Sequence, residues 1–262
     1  MTVRISKIDW YNTWIKIIAK VNAELPRVMN EIFRTPIQRK TDKVLISKLE
    51  NQRKKDFTNS KSQLGQDLLA LVVNNDSKSS SKTFFEFGAT DGLTLSNTYL
   101  LEREYGWTGL LAEPAKEWQR ELHRNRKCLI DQRCVWKKSG ERLQFSELGE
   151  LSGLISHLTA KDRHGDYEVE TISVNNLLEF WNKPNQIGFL SIDTEGSEYE
   201  ILQEVNFSRY KFNVIVCEHN YTRNRKRIKK LLSSVGYQRV LTGMSFWDDW
   251  YIRSEIVRSV RG

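Results

Sequence analysis

From Ser62 onward, short apolar runs that close on a glycine or an acid alternate with stretches of helical periodicity, and that order leaves few folds open. Strands are expected at residues 83–87, 109–112, 127–130, 187–192 and 212–217, with two short closing ones at 237–241 and 250–252. Helices are expected at 63–74, 95–105, 115–124, 174–181, 198–205 and 222–234, and a β-rich stretch precedes Val174. Strands alternating with helices need right-handed crossovers. The expected fold is therefore α/β, a doubly wound, mainly parallel, Rossmann-like sheet covered on both faces.

Charge divides the chain in two. It carries 41 Lys and Arg against 33 Asp and Glu, a net +8. Residues 1–61 hold 14 basic and 6 acidic side chains, whereas residues 62–262 hold 27 of each. The expected organisation is a basic amphipathic helical extension over 1–61 followed by one domain over 62–262. Within 8–33, Trp10, Trp14, Ile17, Ile18, Val21, Leu25, Val28, Met29 and Ile32 recur at helical spacing among basic residues. That stripe would pack on the main domain, join two copies of the chain as a homo-oligomer, or lie on an anionic membrane surface. Residues 41–59 read as an exposed helix or a linker. Because the larger part is neutral, no specific nucleic-acid partner is expected. No apolar run approaches the roughly twenty residues that span a bilayer, and Cys128, Cys134 and Cys217 form no CxxC pair. The expected location is cytoplasmic, with membrane-peripheral contact through 1–61 as a variant.

Ligands of such sheets bind beyond the carboxyl ends of the strands. The first strand runs into Glu86-Phe87-Gly88-Ala89-Thr90-Asp91-Gly92, where two glycines permit a tight turn. An acid before the first glycine opposes a pyrophosphate and favours a ligand with a cationic group. Glu113, followed by Pro114, ends the second strand, where a carboxylate can accept both hydroxyls of a ribose. A cationic group and a ribose together point to S-adenosylmethionine.

These residues, with Ser62-Gln63-Leu64-Gly65-Gln66-Asp67, Ser191-Ile192-Asp193-Thr194-Glu195-Gly196-Ser197-Glu198 and Cys217-Glu218-His219, resemble the FkbM family of S-adenosylmethionine-dependent methyltransferases. The resemblance implies the class I methyltransferase fold, with seven strands ending in an antiparallel hairpin, and S-adenosylhomocysteine as product. It implies that Glu86, Gly88, Ala89, Thr90, Asp91, Gly92, Glu113, Pro114 and Asp193 line the cofactor, and that Gln132, Arg133 and Cys134 flank its adenine. Gln63 and Gln66 either meet its methionine end or shape the entrance. Glu86 and Thr90 stand where the family has aspartate and asparagine.

Methyl transfer from a sulfonium is an in-line displacement, and an alcohol acceptor needs its proton taken. Asp193, with Glu195 two residues on, ends one strand; Glu218 and His219 end the next. These four are the expected catalytic residues. Asp193, Glu218 and His219 together could hold a divalent cation such as Mg or Mn that acidifies the hydroxyl, or His219 could act as a neutral base. The resemblance implies hydroxyl acceptors on sugars or natural products. The leading expectation is an O-methyltransferase acting on a saccharide in glycan or natural-product biosynthesis. An RNA methyltransferase anchored by the basic segment, and a non-catalytic binding or scaffold protein on the same fold, are the alternatives.

Overall fold

The computed structural model describes residues 36–75, 80–157, 165–181 and 185–260. The apolar stripe at 8–33 lies outside the described residues. Its central layer is a seven-stranded sheet built from β1 (Thr83–Phe87), β2 (Thr108–Ala112), β3 (Leu129–Asp131), β8 (Gln186–Ile192), β9 (Lys211–Glu218), β10 (Tyr237–Val240) and β11 (Asp248–Arg253). The order across it is β10-β11-β9-β8-β1-β2-β3. From β3 to β9 all neighbours are parallel, and β11 alone runs against β9 and β10. The chain walks outward from β1 to β2 and β3, then returns to β1's other side with β8. The order reverses between β1 and β8, so the crevice beyond their carboxyl ends is the binding position of the fold.

Both faces are covered, and the strand alternation says why. Phe84, Phe189, Val214 and Trp250 point to one face, where α2 (Gln66–Asn75) packs with Leu69 and Val73 fully buried. Phe85, Leu190, Ile215 and Tyr251 point to the other, against α5 (Val174–Trp181), α6 (Glu198–Leu202) and α7 (Asn224–Ser234). A strand buried on both sides has no polar face, which is why these runs read as continuous apolar segments. Of the two readings left open for residues 41–59, the helical one holds: α1 spans Pro36–Asp56, and its Leu45 and Leu49 are buried in the first cluster. It is not wholly exposed. Between β1 and α5 lie α3 (Tyr99–Arg103) and α4 (Gln119–Asn125).

The β-rich stretch is a second, smaller sheet with the order β4-β7-β5-β6, made of β4 (Cys134–Trp136), β5 (Arg142–Ser146), β6 (Gly153–Leu154) and β7 (Tyr167–Ser173). Cys134, Trp136, Phe145, Leu154 and Val169 form its own core. A final helix, α8 (Ser254–Val260), buries Ile256, Val257 and Val260 against the first face. Sequence periodicity did not separate this helix from the last strand. No helix among the described residues is long and apolar enough to cross a membrane.

Candidate active site

The ends of β1 and β8 nearly touch. Gly88 (φ 78°) donates its N–H to the Ala112 carbonyl at 3.0 Å, and Asp193 donates to the Phe87 carbonyl at 3.1 Å, which extends the ladder past both strands. A Cβ at Gly88 would sit 1.8 Å from the Asp193 carbonyl oxygen. Only glycine fits there, for its φ and for the approach. Gly92 (φ 73°) is similarly confined, since a Cβ would come within 2.6 Å of Leu122 and Arg126 side-chain carbons.

Glu86 is buried, and its carboxylate is turned toward the loop that follows. It accepts from the Asn97 N–H at 2.7 Å, from the Ser96 hydroxyl at 3.0 Å and from Thr98 Oγ1. The buried Arg126 guanidinium lies 3.6 Å away. The expectation that Glu86 faces a cationic ligand is corrected by this geometry: its charge is met internally, and it shapes residues 88–98. Asp91 likewise serves the turn, accepting from the N–H groups of Leu93 and Thr94 at 2.9 and 2.7 Å. Thr90 takes a left-handed conformation (φ 48°), and its N–H donates to Glu113 Oε2 at 2.8 Å. Ala89 is buried beside it.

Glu113 ends β2, buried, with its second oxygen accepting from the Ala115 N–H at 2.8 Å. Burial pushes its carboxyl up to about 7, with the Glu117 and Asp193 charges adding to the rise and the two backbone donors opposing it. Each carboxylate oxygen has a second lone pair for a hydroxyl donor, so the group retains the chemistry of a ribose acceptor. Beyond β3, Asp131 holds Arg133 through a two-point contact, Nε at 2.9 Å and Nη2 at 2.6 Å. The Arg133 guanidinium lies 5.9 Å from the exposed Phe180 ring. Gln132 is exposed and Cys134 buried, where burial lifts its thiol to about 12. The Pro114 carbonyl accepts from the Tyr167 hydroxyl at 3.4 Å. Gln63 and Gln66 are both tied to the start of β11: Gln63 Oε1 accepts from the Trp247 indole at 3.1 Å, and Gln66 Nε2 donates to Asp248 at 2.8 Å.

The acids at the ends of β8 and β9 come together. Asp193, Glu195 and Glu218 each present an oxygen within 4.8 Å of the others. The Glu218 carboxyl lies against that of Asp193, so the two acids titrate as a pair. Burial first, then the Asp193 and Glu195 charges, raise Glu218 well above the usual carboxylate range. The loop beneath is rigid, because Glu198 Oε1 accepts from the Thr194 and Gly196 N–H groups, both at 3.0 Å. Glu195 is held at φ 55° and Gly196 at φ 112°.

His219 does not belong to that cluster. Its Nδ1 accepts from the Tyr221 N–H at 3.0 Å, and its Nε2 lies 3.7 Å from Asp249 Oδ1. Burial lowers its affinity for a proton, so the ring is neutral near pH 7. The expected grouping of Asp193, Glu218 and His219 is therefore corrected: the side chains that come together are Asp193, Glu195 and Glu218. With Nδ1 accepting from an amide, His219 is also a poor candidate for the base. Arg225, in the first turn of α7, is bound to Asp249 at 2.9 and 3.1 Å and also serves the fold.

Two contributors escaped the sequence reading. Asp248 pairs across the sheet with Glu218 and is buried; burial and the Asp193 charge push it up to about 7. His157, in the turn after β6, packs edge-on to Trp136 at 5.7 Å and closes over Gly196, where a Cβ would lie 3.2 Å from its own. Neither carries a motif, since strand pairing and a long loop place them.

A seven-stranded sheet with one reversed strand, a glycine turn after β1, an acid after β2 and acids after β8 are the features of the class I, Rossmann-like methyltransferase fold. The model of the "Methyltransferase FkbM domain" matches residues 86–239, more than half of the chain. The chain belongs to that family. Among solved structures it is similar to the FkbM methyltransferase of Methylobacillus flagellatus, at 11% identity and a TM-score of 0.43 over 79% of this chain and 58% of that one. It thus spans less than two thirds of that protein. It is also similar to an O-methyltransferase from Bacillus cereus in complex with SAH, at 15% identity and a TM-score of 0.43 over 92% and 97% of the two chains. A ribosomal protein L11 methylase from Lactobacillus delbrueckii subsp. bulgaricus follows at 11% identity and a TM-score of 0.39, over 72% and 78%. No curated protein matches the sequence.

Proposed function

We propose that the chain transfers a methyl group from S-adenosylmethionine to a hydroxyl of a saccharide. The observation that carries the reading is the close pair of carboxyls, Asp193 and Glu218, at the switch point of the sheet, beside the Gly88 turn. The donor set fits the cofactor, with a buried carboxylate at Glu113 for ribose hydroxyls, the Asp131–Arg133 plane beyond it, and acidic groups where a cation would lie. When bound, S-adenosylmethionine supplies an electrophilic methyl group on a sulfonium sulfur.

The chain's own residues then have three tasks. Glu113 and the turn 88–92 orient the nucleoside end. Asp193, charged while the buried Glu218 stays protonated, accepts the hydroxyl proton as the new C–O bond forms and the C–S bond breaks. Glu195 keeps the pocket negative, which favours a sulfonium before transfer and loses that hold on the neutral thioether product. Asp193, Glu195 and Glu218 could also hold a divalent cation, which would require Glu218 to lose its proton. The test is transfer of a labelled methyl group to methyl glycosides, nucleotide-sugars, glycan fragments and RNA. Transfer to saccharides is expected, and transfer to RNA alone would overturn the reading.

A further inference from the structure

Past Glu218 the chain makes a turn that is unfavourable by itself. Asn220 (φ 39°) and Tyr221 (φ 57°) both sit in the left-handed region, and a bulky aromatic residue there is uncommon. Every amide of the turn is held. His219 and Asn220 donate to the Trp247 carbonyl at 2.8 and 3.2 Å, Tyr221 donates to His219 Nδ1 at 3.0 Å, and Thr222 donates to the His219 carbonyl at 2.7 Å. Trp247 is anchored in turn by Gln63, and Phe246 beside it is also left-handed, at φ 44°.

What this bracing presents is the Tyr221 ring, 66% exposed, meeting His219 edge to face at 5.3 Å. An apolar ring left in water contributes little to folding. Strain of this kind persists where surrounding contacts impose it, and it gathers at ligand sites. His219 supplies the pedestal, which accounts for its burial and for the acceptor role of Nδ1.

We propose that Tyr221 is the platform on which the sugar ring of the acceptor stacks, three residues beyond Glu218. The proposal rests on the saccharide reading above. The C–H face of a pyranose carries slight positive charge, and the face of an aromatic ring is negative, so the two attract while the sugar's hydroxyls stay at the rim. A rigid ring loses little freedom on binding.

The experiment compares wild type with Tyr221→Ala, Tyr221→Phe and Tyr221→Gly. The readouts are methyl transfer to the best methyl glycoside of a panel, affinity for S-adenosylhomocysteine, and thermal midpoint. Tyr221→Ala is expected to raise KM about tenfold with kcat and cofactor affinity little changed, and Tyr221→Phe to stay within about twofold of wild type. Tyr221→Gly is expected to raise the thermal midpoint by releasing the left-handed strain, yet to lose acceptor affinity as Ala does. An unchanged KM in Tyr221→Ala, with wild type active on saccharides, would overturn the platform alone. Wild type that methylates no saccharide would overturn the reading beneath it as well.

Discussion

Gly88 and Asp193 cross at the switch point so closely that a single methyl group on the former would lie 1.8 Å from the carbonyl oxygen of the latter. Gly88→Ala must therefore separate β1 from β8 or distort the turn. A loss of more than about 3 kcal/mol is expected in urea unfolding, together with loss of S-adenosylhomocysteine binding. An Ala variant of near wild-type stability would contradict the crossing.

The carboxyl pair makes a prediction about rate. Glu218→Gln keeps its place beside Asp193 but removes the titrating proton, and Asp193→Asn removes the acceptor. Both should lower kcat by about 10²–10⁴-fold while cofactor affinity changes little. Steady-state kinetics with parallel calorimetry decide it. Equal losses in cofactor binding would place the pair in binding and not in proton transfer.

Glu113 gives two pH slopes of opposite sign. Ribose hydroxyls donate to its charged form, so S-adenosylhomocysteine affinity should rise with pH and level off above about 7. Below that, it should fall by up to about tenfold per pH unit. Glu113→Gln should bind weakly with no such slope.

The free protein should behave in reverse. Burial raises Asp67 to about 6 and Glu113 and Asp248 to about 7, so the folded state holds these protons more tightly than the unfolded chain. Stability from them is fully present below the ordinary carboxylate range and lost as pH rises through about 6–7. Urea midpoints of the cofactor-free protein between pH 5 and 8 would show the fall, and a flat profile would count against it.

A cation, if one is used, should depend on Glu195 and not on His219. Glu195→Gln should weaken Mn binding, read by calorimetry, while His219→Asn should leave it unchanged. Activity that survives EDTA in full and ignores added Mg or Mn would dismiss the cation and leave proton transfer to the carboxyl pair.

The strands were legible because β1, β8 and β9 are buried on both faces and so spell mostly apolar runs. The glycine turn and the acids at strand ends were legible for the same reason, being sharp interruptions of those runs. Side-chain direction was not. Glu86 sits where a ligand-facing acid was expected, yet Arg126, forty residues on, claims it. His219 looked like a ligand because it follows Glu218, but its ring is turned to the Tyr221 amide and to Asp249. Asp248 and His157 could not be seen at all, since a register between β9 and β11 and the fold of a second sheet bring them in.

Gln63 and Gln66 grip Trp247 and Asp248 across 184 and 182 positions of chain. On a ribosome, the glycine turn, the ribose acid and the Asp193 loop all emerge well before the residues that brace the entrance. The crevice therefore cannot be completed until Trp247 and Asp248 have emerged, and until then the nascent chain should not retain the cofactor.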